Sequence, residues 1–76
     1  MKKTNTNGNY KLEANVKLNR EFFATLEEAR EAAAKDRECY LAHTTTRDVE
    51  KNAKEMEGIF IVNVDTDELV DVYYLY

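Results

Sequence analysis

The chain predicts a small α+β domain, a mostly antiparallel sheet of four to five strands packed on one main α-helix in the order β(β)αβ(α)ββ. Three observations predict it. Residues 9–18 alternate apolar and polar side chains. Residues 25–37 open with a helix-start signature and continue as a stripe of alanines. Residues 58–76, GIFIVNVDTDELVDVYYLY, read as two strands around an acidic turn. A length of 76 residues holds one domain. The expected division is a flexible N-terminal tail over 1–8, where three residues are Asn or Gly, and a single domain over 9–76.

In the first strand Tyr10, Leu12, Ala14, Val16 and Leu18 share one face, and Lys11, Glu13, Asn15 and Lys17 share the other. A period of two over that length is the mark of a half-buried strand. Asn19-Arg20 then turns the chain into a short second strand over 21–24 that carries Phe22 and Phe23.

Thr25-Leu26-Glu27-Glu28 fits a capping box. The Thr25 hydroxyl is expected to accept from the Glu28 amide, with Glu28 reaching back. The acids of this first turn also complement the helix dipole. Leu26, Ala29, Ala32 and Ala33 make the inward stripe of a helix over 26–37. Alanine lets a helix approach a sheet closely but buries little area, so larger strand residues must fill the core.

Residues 39–46 read as a strand, because three consecutive threonines favour extension. Residues 47–57 admit two readings. Val49, Ala53 and Met56 have helical spacing with Gly58 as a C-terminal cap, and Lys51-Asn52 could turn a hairpin arm. The short helix is preferred. The terminal hairpin turns at 65–68, where aspartates can bond nearby backbone amides. Phe60, Val62 and Val64 form one row of its first strand, and Ile59 and Ile61 the other. Leu69, Tyr73 and Leu75 oppose Val70, Val72, Tyr74 and Tyr76 in the second. Apolar residues therefore remain on the outer face whichever row meets the helix, and a patch of that kind marks an interface.

Composition narrows the chemistry. The chain has no Ser, Gln, Trp or Pro, one His and one Cys. Cys39 alone makes no intramolecular disulfide and fits a reducing compartment. Cys39 and His43, placed on a strand, would stand ~13 Å apart, too far for a nucleophile–base pair. Asp65, Asp67 and Asp71 do not match the calcium-loop pattern, and the glycines, Gly8 and Gly58, form no phosphate loop. No catalytic residue, metal or cofactor is therefore assigned, and no enzyme activity is expected. The N-terminus is basic without an apolar core, and no run of ~18 apolar residues follows, so a soluble cytoplasmic protein without a membrane partner is expected.

The net charge of −4 is unevenly distributed. Residues 1–20 carry five bases and one acid, whereas 58–76 carry four acids and no base. Direct nucleic-acid binding is disfavoured by this net negative field. Protein recognition fits better. Asp65, Asp67, Glu68 and Asp71 would steer a basic partner, and Tyr73, Tyr74 and Tyr76 would anchor it. A secondary acidic surface is offered by the helix face bearing Glu27, Glu28, Glu31, Asp36 and Glu38, or else that face is solvated with Glu31–Lys35 paired at i,i+4.

With its strand–helix–strand segments FFATLEEAREAAAKD and ECYLAHTTT, its short acidic chain and its lack of a catalytic constellation, the sequence resembles in type the small accessory proteins that bacteriophages make against host machinery. These include anti-CRISPR proteins and inhibitors of host polymerase or restriction systems. The resemblance implies a stoichiometric inhibitor of a nucleic-acid-handling or defence complex, acting in the host cytoplasm. It carries over no residue roles. The alternative from the residues themselves is a self-associating domain, a twofold homodimer that pairs its terminal strand or sheet face.

Overall fold

The computed structural model describes residues 9–76, so the expected N-terminal tail, 1–8, lies outside the described residues. The fold is α+β, as expected. Its elements run β1 (Tyr10–Glu13), β2 (Phe22–Phe23), α1 (Leu26–His43), α2 (Thr46–Glu55), β3 (Gly58–Asn63) and β4 (Glu68–Tyr74). The four strands form one antiparallel sheet in the order β2-β1-β3-β4.

The first strand is shorter than its alternation suggests. Pairing with β3 runs from Tyr10 to Glu13, extended by the Val64 amide donating to the Asn9 carbonyl at 2.9 Å. Beyond Glu13 the chain leaves the sheet, yet Ala14, Val16 and Leu18 still pack against the core while Asn15 and Lys17 stay exposed. The period-two pattern therefore reports which side chains are buried rather than how far the ladder runs. Two asparagines tie this segment down: Asn15 donates to the Glu57 carboxylate at 2.7 Å and Asn19 to Asp36 at 3.3 Å.

The Thr25 cap forms as expected in one of its two arms. Its hydroxyl oxygen accepts from the Glu28 amide at 3.2 Å, but the returning contact is the Thr25 hydroxyl donating to the Glu28 carboxylate at 3.1 Å. The larger correction concerns 39–46. This segment is not a strand: α1 continues unbroken through Cys39 to His43. The apolar stripe of α1 is interrupted at Asp36-Arg37 and resumes at Tyr40, which packs on the core. No Gly or Pro stands between to stop the helix. Of the three threonines that suggested extension, Thr44 and Thr45 sit between two helices and Thr46 is the first residue of α2. Thr44 caps the end of α1, and the Thr45 hydroxyl accepts from the Asp48 amide at 3.1 Å to start α2.

The preferred helix over 47–57 is present as α2, but two of its expected details differ. Gly58 is not its cap. Met56 takes the left-handed conformation at φ 53°, and the Glu57 amide donates to the Asn52 carbonyl at 2.9 Å. Its Val49-Ala53-Met56 stripe is not buried either: no residue of α2 is fully buried and Met56 is 58% exposed. Capping and side-chain hydrogen bonds hold this helix more than apolar burial does.

The core lies between α1 and one sheet face. Leu12, Phe23, Ile59, Ile61 and Leu75 meet Ala29 and Ala33, all nearly inaccessible to solvent. Strand register explains the set: Leu12 pairs with Ile61, and Ile59 with Tyr73, so these side chains point the same way. The Ile59 row faces the helix, and Phe60 and Val62 face away.

Candidate binding surface

The terminal hairpin is built by an Asx turn. The Asn63 side-chain oxygen accepts from the amides of Asp65 (2.9 Å) and Thr66 (3.3 Å), and its carbonyl accepts from the Asp67 amide at 2.7 Å. Asp67 sits at φ 58°, a conformation Asp tolerates better than most residues. The result is an exposed tip bearing Asp65, Asp67 and Glu68.

A β-bulge in β4 decides the rest of the surface. Asp71 pairs with Ile61, but Leu69 rather than Val70 pairs with Val62, so one extra residue is accommodated at 69–70. Leu69 therefore leaves the row of Tyr73 and Leu75, where simple alternation places it, and joins Val62 on the outer face. It is 60% exposed there.

The structure divides the seven predicted partner-binding residues among three places. Asp65, Asp67 and Glu68 stay together at the tip. Asp71 and Tyr73 point to the helix side. Asp71 accepts from Arg30 of α1 at 3.2 Å, and Tyr73 packs on the core and lines a shallow groove with Ala34, Arg37 and Leu41. Tyr74 and Tyr76 lie on the opposite face with ring centroids 5.0 Å apart and planes tilted by 47°. The three tyrosines and Asp71 thus do not form one surface, because adjacent residues of a strand point to opposite sides. Of the secondary acidic face, Glu27, Glu28, Glu31 and Glu38 are exposed, while Asp36 is half-buried and bonded to Asn19. Glu31 and Lys35 make no ion pair.

The outer sheet face is more apolar than the individual rows suggest. Register sets it out as a grid. Phe22, Lys11, Val62 and Leu69 stand side by side across β2, β1, β3 and β4. The next row holds Glu13, Phe60 and Val72, and the last Gly58 and Tyr74. Lys11 and Glu13 pair with each other at 3.6 Å, and Lys11 also stands 5.8 Å from the Phe22 ring centre. The bulge that turns Leu69 outward leaves no mark in the alternation pattern.

Helix α1 makes Cys39 and His43 neighbours at i,i+4 rather than ~13 Å apart. Both are exposed. Among the described residues no group of three or more His, Cys, Asp or Glu is placed to hold a metal, and no helix is long and apolar enough to cross a membrane. Comparison with family models, curated proteins and solved structures finds no match to this chain.

Proposed function

We propose that this chain is a stoichiometric protein-binding inhibitor of a nucleic-acid-handling or defence complex, of the anti-CRISPR kind, working in the cytoplasm of a host cell. The reading assigns it no catalysis and no cofactor. It is supported by one observation above the others: the exposed acidic tip, Asp65, Asp67 and Glu68, continues along the edge strand β4 to Tyr74 and Tyr76. The two ends are separated by ~20 Å at ~3.3 Å per residue. No Lys or Arg interrupts residues 58–76. Such an edge presents charge at one end, which speeds encounter with a basic surface, and aromatic area at the other, which slows release. Asp71 takes no part in steering, since Arg30 already neutralises it.

The test is capture from bacterial lysate with wild type beside Asp67→Lys/Glu68→Lys, after circular dichroism shows the variant folded. The expected result is a large nucleic-acid-handling protein retained by wild type, lost from the variant and released as salt is raised. Equal retention by both proteins overturns the acidic-edge reading.

A further inference from the structure

From the outer face of the sheet we infer that a second copy of this chain packs there, face to face about a twofold axis. Six apolar or aromatic side chains form this face: Phe22, Phe60, Val62, Leu69, Val72 and Tyr74. The helix layer lies on the other side, where α1 meets Ile59, Ile61 and Leu12. Helix α2 is also held on that side, through Tyr40 and the carbonyl of Leu75. The domain thus has two layers where its side chains suit three.

Charge identifies the occupant. In a chain of net charge −4, this face carries one acid and one base among the described residues, Glu13 and Lys11, which already neutralise each other. A basic protein or a nucleic acid would find no net attraction on it. A second acidic copy meets its least repulsion there, and its own Lys11 and Glu13 make the surface self-complementary, as an isologous interface requires.

The grid selects the axis. Consider a twofold axis in the plane of the interface, perpendicular to the strands and passing between the first two rows. Lys11 then lies over the partner's Glu13, Val62 over the partner's Phe60, and Leu69 over the partner's Val72. Strand directions reverse, so the two acidic tips point to opposite ends and do not repel. An axis along the strands through the middle of this four-strand row instead sets Lys11 against the partner's Val62 and brings both tips to one end. Edge pairing of β4 with itself is opposed by the exposed Glu68 and by the bulge, which blunt that edge. Sheets stacked in this way stand ~10 Å apart, crossing at about −30°.

Sedimentation equilibrium of the full chain from about 1 µM to about 500 µM tests this. The expected mass rises from one 8.9 kDa chain towards two. Leu69→Lys, at a position exposed enough to leave the fold intact, is expected to weaken association about tenfold or more by placing an unpaired charge in the apolar contact. Lys11→Glu is expected to weaken it also, and Lys11→Glu/Glu13→Lys to restore it, because the swap recreates the cross-axis pair. Asp67→Lys/Glu68→Lys still associates, because it lowers the repulsion between two acidic copies, and this separates the proposal from the acidic-edge reading, in which the same variant loses its partner. A one-chain mass throughout overturns the proposal and leaves the face to a different partner. A dimer unaffected by Leu69→Lys overturns it too, as does failure of the charge swap to restore association.

Discussion

Asn52 holds Leu75 in place across 23 residues of sequence, its side-chain amide donating to the Leu75 carbonyl at 3.0 Å. The same amide donates to the Tyr40 hydroxyl at 3.0 Å, so one side chain joins α2, α1 and the end of the sheet. Leu75 is buried at 1% exposure, and its amide donates to the Glu57 carbonyl at 2.9 Å. Arg37 completes the clamp by donating to the main-chain oxygens of Tyr74 and Tyr76.

Asn52→Ala removes both hydrogen bonds and leaves the Leu75 carbonyl without this donor. Unfolding by urea is expected to show a loss of about 1–3 kcal/mol. Amide exchange should show where the loss falls: the Leu75 amide exchanges faster while Ile59 and Ile61 stay protected. Uniform loss of protection across the sheet would mean that Asn52 supports the whole fold rather than this junction.

The contact between α1 and the sheet is close because its inward residues are alanines. Ala33 is fully inaccessible beneath Ile59 and Ile61, also inaccessible. Ala33→Leu is expected to lower stability by about 1–3 kcal/mol through overpacking. Ile61→Ala should cost about 2–5 kcal/mol by opening a cavity. Val49→Ala on α2, whose residues are not fully buried, should cost distinctly less than Ile61→Ala. Thermal melts of the three variants give the comparison, and a Val49 variant as damaging as Ile61→Ala would refute the account of what holds α2.

Gly58 is set by close approach and not by helix capping. A Cβ there would stand 3.1 Å from the Tyr73 carbonyl oxygen, 3.1 Å from the Val72 side chain and 3.2 Å from the Tyr74 Cα. Two of these neighbours are backbone atoms of the paired strand and cannot rotate away. Gly58→Ala is therefore expected to destabilise by about 1–3 kcal/mol, and to shift the ring signals of Tyr74 and Tyr76. Chemical denaturation with aromatic NMR checks both, and an unchanged midpoint would contradict the steric argument.

Local patterns in the sequence were sound guides where short-range physics decides the outcome. Thr25 begins a helix because its hydroxyl can reach an amide three residues on. Thr45 and Asp48 repeat that spacing at the start of α2, a signal as plain as the first. It is obscured by the preference of three threonines for extension. The end of α1 was less legible, since Asp36-Arg37 breaks the apolar stripe. Arg37 is there for the carbonyls of Tyr74 and Tyr76, partners nearly forty residues away.

By itself the sequence determined the α+β class, the hairpin, the acidic tip at 65–68 and the presence of apolar residues on both rows of that hairpin. These follow from periodicity, capping and turn chemistry, which act over a few residues. Only the tertiary structure decided which row is covered, that Asp71 belongs to Arg30, and that Tyr73 parts from Tyr74 and Tyr76. It alone turned Leu69 outward, since a bulge arises from the pairing of two strands and neither strand encodes it alone. The candidate surface rests on those long-range pairings, and so the residues that make it could be named in advance but not placed together.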